Sequence, residues 1–148
     1  MITRNVLFLC TGNYYRSRFA EEYFNYLAKI NSLDWRADSR GLAADITELR
    51  NPGPVSKHAL LELEKRNILP ENANRFPLKA SYDDFEKAVF IIALNRNEHQ
   101  SLLRQNFPEF NGVVEFWEIE DVDKELPQYA CFKIANRVEK LIDRLLSN

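Results

Sequence analysis

Val6-Leu7-Phe8-Leu9-Cys10-Thr11-Gly12-Asn13-Tyr14-Tyr15-Arg16-Ser17-Arg18-Phe19-Ala20 decides how this chain folds. Four apolar residues run into Cys10, residues with turn chemistry follow, and Arg16 and Ser17 open an amphipathic stretch. That order reads as a strand, a tight loop and a helix start. It turns a thiol and a guanidinium toward one small space. Backbone N–H groups of a loop at a helix N-terminus make a ready anion site, and the same field favours thiolate over thiol. The combination points to attack of sulfur on a phosphoryl group.

Outward from this segment, apolar runs alternate with helical patterns. Strands are expected over 5–10, 35–39, 88–94 and 113–119, with 88–94 apolar throughout as for a strand buried on both faces. A helix over 17–30 sets Phe19, Tyr23, Leu27 and Ile30 on one face. Residues 41–54, with Asn51-Pro52-Gly53-Pro54, read as a loop without regular structure. Ser56 caps a helix to about residue 67 with Ala59, Leu60 and Leu63 inward, and Ser81 caps a short one with Phe85 inward. Helices over 97–106 and 129–146 follow, the last with Ile134, Val138, Leu141 and Leu145 on its buried face. The pattern predicts an α/β three-layer sandwich: a four-stranded parallel sheet with helices on both faces, in one domain over 1–148. Ligands of such sheets bind beyond the carboxyl ends of strands, where Cys10 falls and where Asp121 and Asp123 follow the last strand.

The 148 residues are 45% apolar and 28% charged, with net charge −2, which gives no reason to expect nucleic acid or an acidic membrane as partner. No stretch has the form of a signal peptide or membrane span. Two distant cysteines do not make a disulfide framework, so a reduced, cytoplasmic protein is expected. His58 and His99 lie on separate predicted helices without ligand spacing; they read as surface or cap residues, and no metal site is expected.

The Cys-to-Arg spacing by itself means little, because Cys131 is also followed six residues later by Arg137. That second pair lies inside the predicted closing helix, where Cys131 reads as a packed residue. The first pair differs in its context. Gly12 allows positive φ and close approach of backbone to a ligand, and Asn13 tolerates left-handed geometry while its amide pins the loop. The N–H groups of residues 11–17, including those of Thr11, Tyr14 and Tyr15, are then free to converge on phosphate oxygens, with Arg16 binding two of them. Ser17 is positioned to donate its hydroxyl to the sulfur.

The segment resembles the phosphate-binding loop of the low-molecular-weight protein tyrosine phosphatases, a flavodoxin-like family with Cys-x-Gly-Asn-x-Cys-Arg-Ser near the N-terminus. Asp38-Ser39-Arg40-Gly41 resembles that family's Ser-Ala-Gly segment, whose serine supports the loop asparagine, and Asn74-Arg75 resembles its Ala-Arg segment. The resemblance implies a phosphocysteine mechanism on Cys10, with Arg16 holding phosphate, no cofactor, and a phosphotyrosine protein or small aryl phosphate as substrate. Aligned on Trp117, the family's acid position falls on Asp121, with Asp123 the alternative. Monomers are assumed.

Departures from the family pattern accompany the likeness. Val122 replaces a proline after the acid, and Asp123 and Lys124 stand where many members carry pocket tyrosines. Tyr15 replaces a second cysteine, which removes a local disulfide. Asn95 replaces an aspartate, removing an expected polar brace, and Arg18 replaces a proline, as a solvated residue or an attractant for acidic phosphopeptides. Tyr14 and Tyr15 stand to rebuild an aromatic wall or to pack on the sheet. A phosphate-binding module without turnover is the competing reading; arsenate reduction is another, but it requires relay cysteines that the sequence lacks between Cys10 and Cys131.

Overall fold

A computed structural model describes residues 3–147. Strand β1 (Arg4–Cys10) is flanked by β2 (Trp35–Gly41) and β3 (Phe90–Ala93), and β4 (Glu115–Phe116) extends the sheet to the order β2-β1-β3-β4. Every strand pair is parallel, with Val6 opposite Ala37 and Phe90, and Cys10 opposite Gly41. Because successive side chains of a strand point to opposite faces, β1 feeds two cores. Val6, Phe8 and Cys10 join one cluster with Phe19, Phe24 and Trp117, while Leu7 and Leu9 join another with Phe85, Leu103 and Phe107. The first is covered by α1 (Arg16–Ile30), α2 (Lys57–Lys65) and α5 (Pro127–Leu146). The second is covered by α3 (Tyr82–Lys87) and α4 (Arg96–Asn106). The expected parallel sheet with helices on both faces is therefore the fold observed.

Local chemistry sets the helix starts. Ser56 Oγ accepts from the His58 N–H at the head of α2, and Ser81 and Asp84 form a reciprocal capping box on α3. Asn95 Oδ1 accepts from the Glu98 N–H, so α4 begins at Arg96, one residue earlier than its periodicity suggests. Pro127 opens α5 at a position whose N–H has no helical partner. By contrast, no side chain caps α1, so its first N–H groups lack a side-chain acceptor at the cap.

The structure amends three sequence readings. Only Glu115–Phe116 of the expected 113–119 strand is regular sheet, because Val113 stands 91% exposed beyond the edge and residue 118 makes only an isolated antiparallel bridge to Asn95. Loop 41–54 contains a 3₁₀ turn, Ile46–Leu49, capped by Asp45. On α1, Ile30 is 60% exposed, and the buried face runs through Phe19, Ala20, Phe24 and Ala28. This helix is packed on both the sheet and α5, so its apolar surface is wider than one stripe. No helix among the described residues is long and apolar enough to cross a membrane.

The end of β2 presses directly on the loop that follows β1. Leu42 and Ala43 N–H groups donate to Cys10 and Thr11 carbonyls at 2.8 and 3.1 Å. A Cβ on Gly41 would meet the Thr11 carbonyl oxygen at 2.9 Å and the Gly12 carbonyl carbon at 3.1 Å, both backbone atoms. Gly41→Ala is therefore expected to cost about 1–3 kcal/mol, seen as a lowered urea midpoint with unchanged slope.

Candidate active site

Cys10 closes β1 at the carboxyl edge of the sheet, its side chain nearly buried and its Sγ 2.9 Å from Ser17 Oγ in the first turn of α1. Asn13 holds the turn between them. Its φ of 52° is left-handed, a conformation asparagine adopts more readily than most residues. Its buried amide is fully paired: Nδ2 donates to Ser17 Oγ and Ser39 Oγ, each at 2.9 Å, and Oδ1 accepts from Arg75 Nη1 and the Leu78 N–H. Since Ser17 Oγ already accepts from Asn13, its own hydrogen is free to point at the sulfur. Ser39 in turn donates to Glu21, which also accepts from Arg75 and Asn72.

Of the two loop residues that tolerate positive φ, Asn13 adopts it and Gly12 does not. Gly12 is needed for space, since a Cβ there would stand 2.8 Å from Leu49 Cδ1 and 3.2 Å from Asn51 Nδ2. Cys10, Tyr14, Arg16, Lys57, Asp121 and Val122 border the same pocket, which Gly12, Leu49, Asn51 and Pro52 also line. Asp121 Oδ2 lies 3.5 Å from Arg16 Nη2. Asp123 borders a different hollow, together with Glu98 and Glu120.

Several side chains have other surroundings than their sequence context suggests. Thr11 turns its hydroxyl away from the sulfur, donating to Glu98 and lying 3.2 Å from His99 Nε2. Tyr14 reaches back to the Pro52 carbonyl. Tyr15 borders the pocket but is buried in the core, edge-on to His58, with its hydroxyl 4.0 Å from Cys131 Sγ. Burial pushes the Tyr15 phenol far above its ordinary range and the Cys131 thiol up to about 12, which leaves Cys131 inert. Arg18 is neither solvated nor a surface lure. It is buried and donates to the carbonyls of Pro54 and Asn72, and burial lowers its pKa.

Three α4 residues were missed or misread from sequence. Glu98 accepts from Arg16 Nη1 at 3.1 Å and Nη2 at 2.7 Å. Burial alone would raise its carboxyl, but hydrogen bonds from His99, Arg16 and Thr11 hold it well below the usual carboxylate range. His99 is wholly buried rather than on the surface. Its Nδ1 accepts from the Asn95 N–H, which leaves the proton on Nε2, and burial lowers its pKa. Asn95 is itself a brace, tying α4 to the Ile119 carbonyl. The legible signal was Asn95-x-x-Glu98, an N-cap pattern that sets Glu98 in the first turn beside the sheet edge.

Taken together, a parallel α/β sheet ends in a thiol beside a buried arginine and an uncapped helix start, an arrangement suited to oxyanion chemistry at sulfur. The family model for low molecular weight phosphotyrosine protein phosphatases matches residues 5–146, and the chain belongs to that family. It is a hydrolase of the phosphatase class. No curated protein sequence matches it significantly. Among solved structures, the low molecular weight protein tyrosine phosphatase from T. tengcongensis is similar at 26% identity and TM-score 0.79, covering 95% of this chain and 99% of that one. The Bacillus subtilis protein YfkJ aligns at 21% identity and TM-score 0.83 over 99% of this chain and 97% of its own. Vibrio vulnificus Wzb, solved in complex with benzylphosphonate, aligns at 18% identity and TM-score 0.78 over 97% and 99%.

Arg18→Met keeps the buried stem but leaves the Pro54 and Asn72 carbonyls unpaired. It is expected to destabilise the protein by about 2 kcal/mol or more, read as a lowered thermal midpoint by circular dichroism.

Proposed function

We propose that this phosphatase hydrolyses phosphotyrosine or related aryl phosphomonoesters through a phosphocysteine on Cys10. The observation that carries this reading is the shared pocket of Cys10, Arg16 and Asp121, with Ser17 Oγ at 2.9 Å from the sulfur. In the first step the thiolate attacks phosphorus while the aryl oxygen departs, taking a proton from the Asp121 carboxyl. In the second, the ionised Asp121 removes a proton from water as it attacks the phosphocysteine, and sulfur leaves as thiolate, stabilised by the Ser17 hydroxyl. Arg16 and the N–H groups of Thr11, Gly12, Asn13, Tyr14, Tyr15 and Ser17 hold the nonbridging oxygens throughout. Asn13 and Ser39 keep the loop in shape.

The geometry favours Asp121 over Asp123 as the acid, since Asp121 shares the pocket of Cys10 and the latter does not border it. Tyr14 and Val122, which line the pocket, offer the aryl ring apolar contact. Burial of Cys131 against Tyr15 argues against a disulfide relay, and thus against arsenate reduction.

Rapid-mixing kinetics on an aryl phosphate test the scheme. The wild-type protein is expected to show a burst of phenol followed by slower turnover. Cys10→Ser should abolish both, and full activity in that variant would refute the covalent route. Asp121→Ala should slow turnover about 10²- to 10⁴-fold, and Asp123→Ala should have far less effect; the reverse order would reassign the acid.

A further inference from the structure

The donor count on Arg16 leaves one edge of its guanidinium free. Nη1 spends both hydrogens, one on Glu98 Oε1 at 3.1 Å and one on the Ile119 carbonyl at 3.0 Å. Nη2 spends one on Glu98 Oε2 at 2.7 Å. Nε has no hydrogen-bond acceptor among the described residues, and the second Nη2 hydrogen has only Asp121 Oδ2 at 3.5 Å. A guanidinium carries five N–H donors in a rigid plane, so one adjacent pair, on Nε and Nη2, stays open for a bidentate oxyanion.

The carboxylate that fixes this edge also holds the other end of the loop. Glu98 accepts from the Thr11 hydroxyl, one residue after Cys10, while gripping Arg16 six residues after it. Thr11 Oγ1 gives its only hydrogen to Glu98 and is left to accept from His99 Nε2, whose protonation follows from the Asn95 N–H on Nδ1. The His99 Nε2 proton faces both Thr11 Oγ1 at 3.2 Å and Glu98 Oε2 at 3.3 Å, so the imidazole supports the same pair of groups. The whole assembly sits on the first turn of α4, whose start is set by the Asn95 cap.

We propose that Glu98 is the positioning residue of this phosphatase: it ties Thr11 to Arg16 and turns the Nε–Nη2 edge of Arg16 toward the phosphoryl group. This rests on the proposed role of Arg16 in holding phosphate. Glu98 itself touches no substrate. A carboxylate in this place acts in one of two ways. Either it aims the guanidinium, or it competes with phosphate for it. The count above decides for aiming, because Glu98 uses the Nη1–Nη2 fork and leaves the other edge unfilled.

The test measures inorganic phosphate binding by calorimetry alongside aryl phosphate turnover, in the wild-type protein, E98Q and E98D. In E98Q the amide presents one acceptor where the carboxylate presents two, so the fork contact is lost. Phosphate is expected to bind about tenfold more weakly, equivalent to one charged hydrogen bond. The kcat/KM should fall about 10²-fold, through kcat as well as KM, with the pH profile of kcat/KM keeping its limbs. E98D keeps the charge but is too short to span Thr11 and Arg16, and is expected to fall between the two; it carries the test if E98Q does not fold. Unchanged phosphate affinity in either variant overturns the proposal. So does tighter phosphate binding with faster turnover, which would make Glu98 a competitor. A wild-type protein that binds phosphate but turns over no ester would sink the proposed hydrolysis, while the phosphate constants still decide for or against Glu98.

Discussion

A single buried amide holds the loop together. Asn13 has no exposed surface, a left-handed backbone and four hydrogen bonds, two given and two received. Those bonds reach α1 through Ser17, β2 through Ser39, and the 75–78 segment through Arg75 and the Leu78 N–H. Three separate stretches of chain are registered to one another by one side chain. A buried polar group of this kind is stabilising only when every partner is present, so the surrounding residues are constrained in turn. Glu21 must accept from Arg75 and Asn72, and Ser39 must present its hydroxyl between Asn13 and Glu21. The Cys10 sulfur sits at the outer end of that chain, one bond beyond Ser17.

A second constraint comes from the opposite side of the sheet. The first core locks α1 onto β1, but Arg16 points across the sheet edge to α4. That helix is anchored independently, by Asn95 at its head and by Leu103 and Phe107 in the second core. The guanidinium is thus held between elements from both layers. The thiol comes from β1, the arginine from α1, the carboxylate that grips it from α4, and Asp121 from the segment after β4. Only the parallel order β2-β1-β3-β4 brings these ends to one edge.

Much of this was legible in the sequence because it is local. The 6–20 segment declares strand, turn and helix in fifteen consecutive residues, and the apolar run through β3 allows little besides a central strand. Ser56 and Ser81 announced their helices through caps that involve neighbours a few positions away. What escaped was non-local. That Arg18 is a buried strut depends on carbonyls 36 and 54 residues further along the chain. That the Thr11 hydroxyl bonds α4 depends on Glu98, 87 residues away. Both Gly12 and Asn13 suit a left-handed turn, and that Asn13 takes it depends on partners as distant as Ser39, Arg75 and Leu78. Leu49 and Asn51, which close over Gly12, leave that position too little room for a Cβ. The short β4 escaped for a related reason: its apolar residues read as strand, yet beyond Phe116 the contact with the β3 edge continues only as single hydrogen bonds and an isolated bridge.

Arg18 also bears on the thermodynamics of ligand capture. Its two terminal nitrogens bind carbonyls from the loop after the 3₁₀ turn and from the segment that precedes β3. The segments that carry Pro54 and Asn72 are thereby tied to the start of α1 before any substrate arrives. Segments tied down in this way have less conformational freedom to surrender on binding, which lowers the ordering penalty that mobile pockets incur. An anion entering such a site exchanges water for preset N–H donors, and its association is expected to be governed by desolvation rather than by closure of the protein around it.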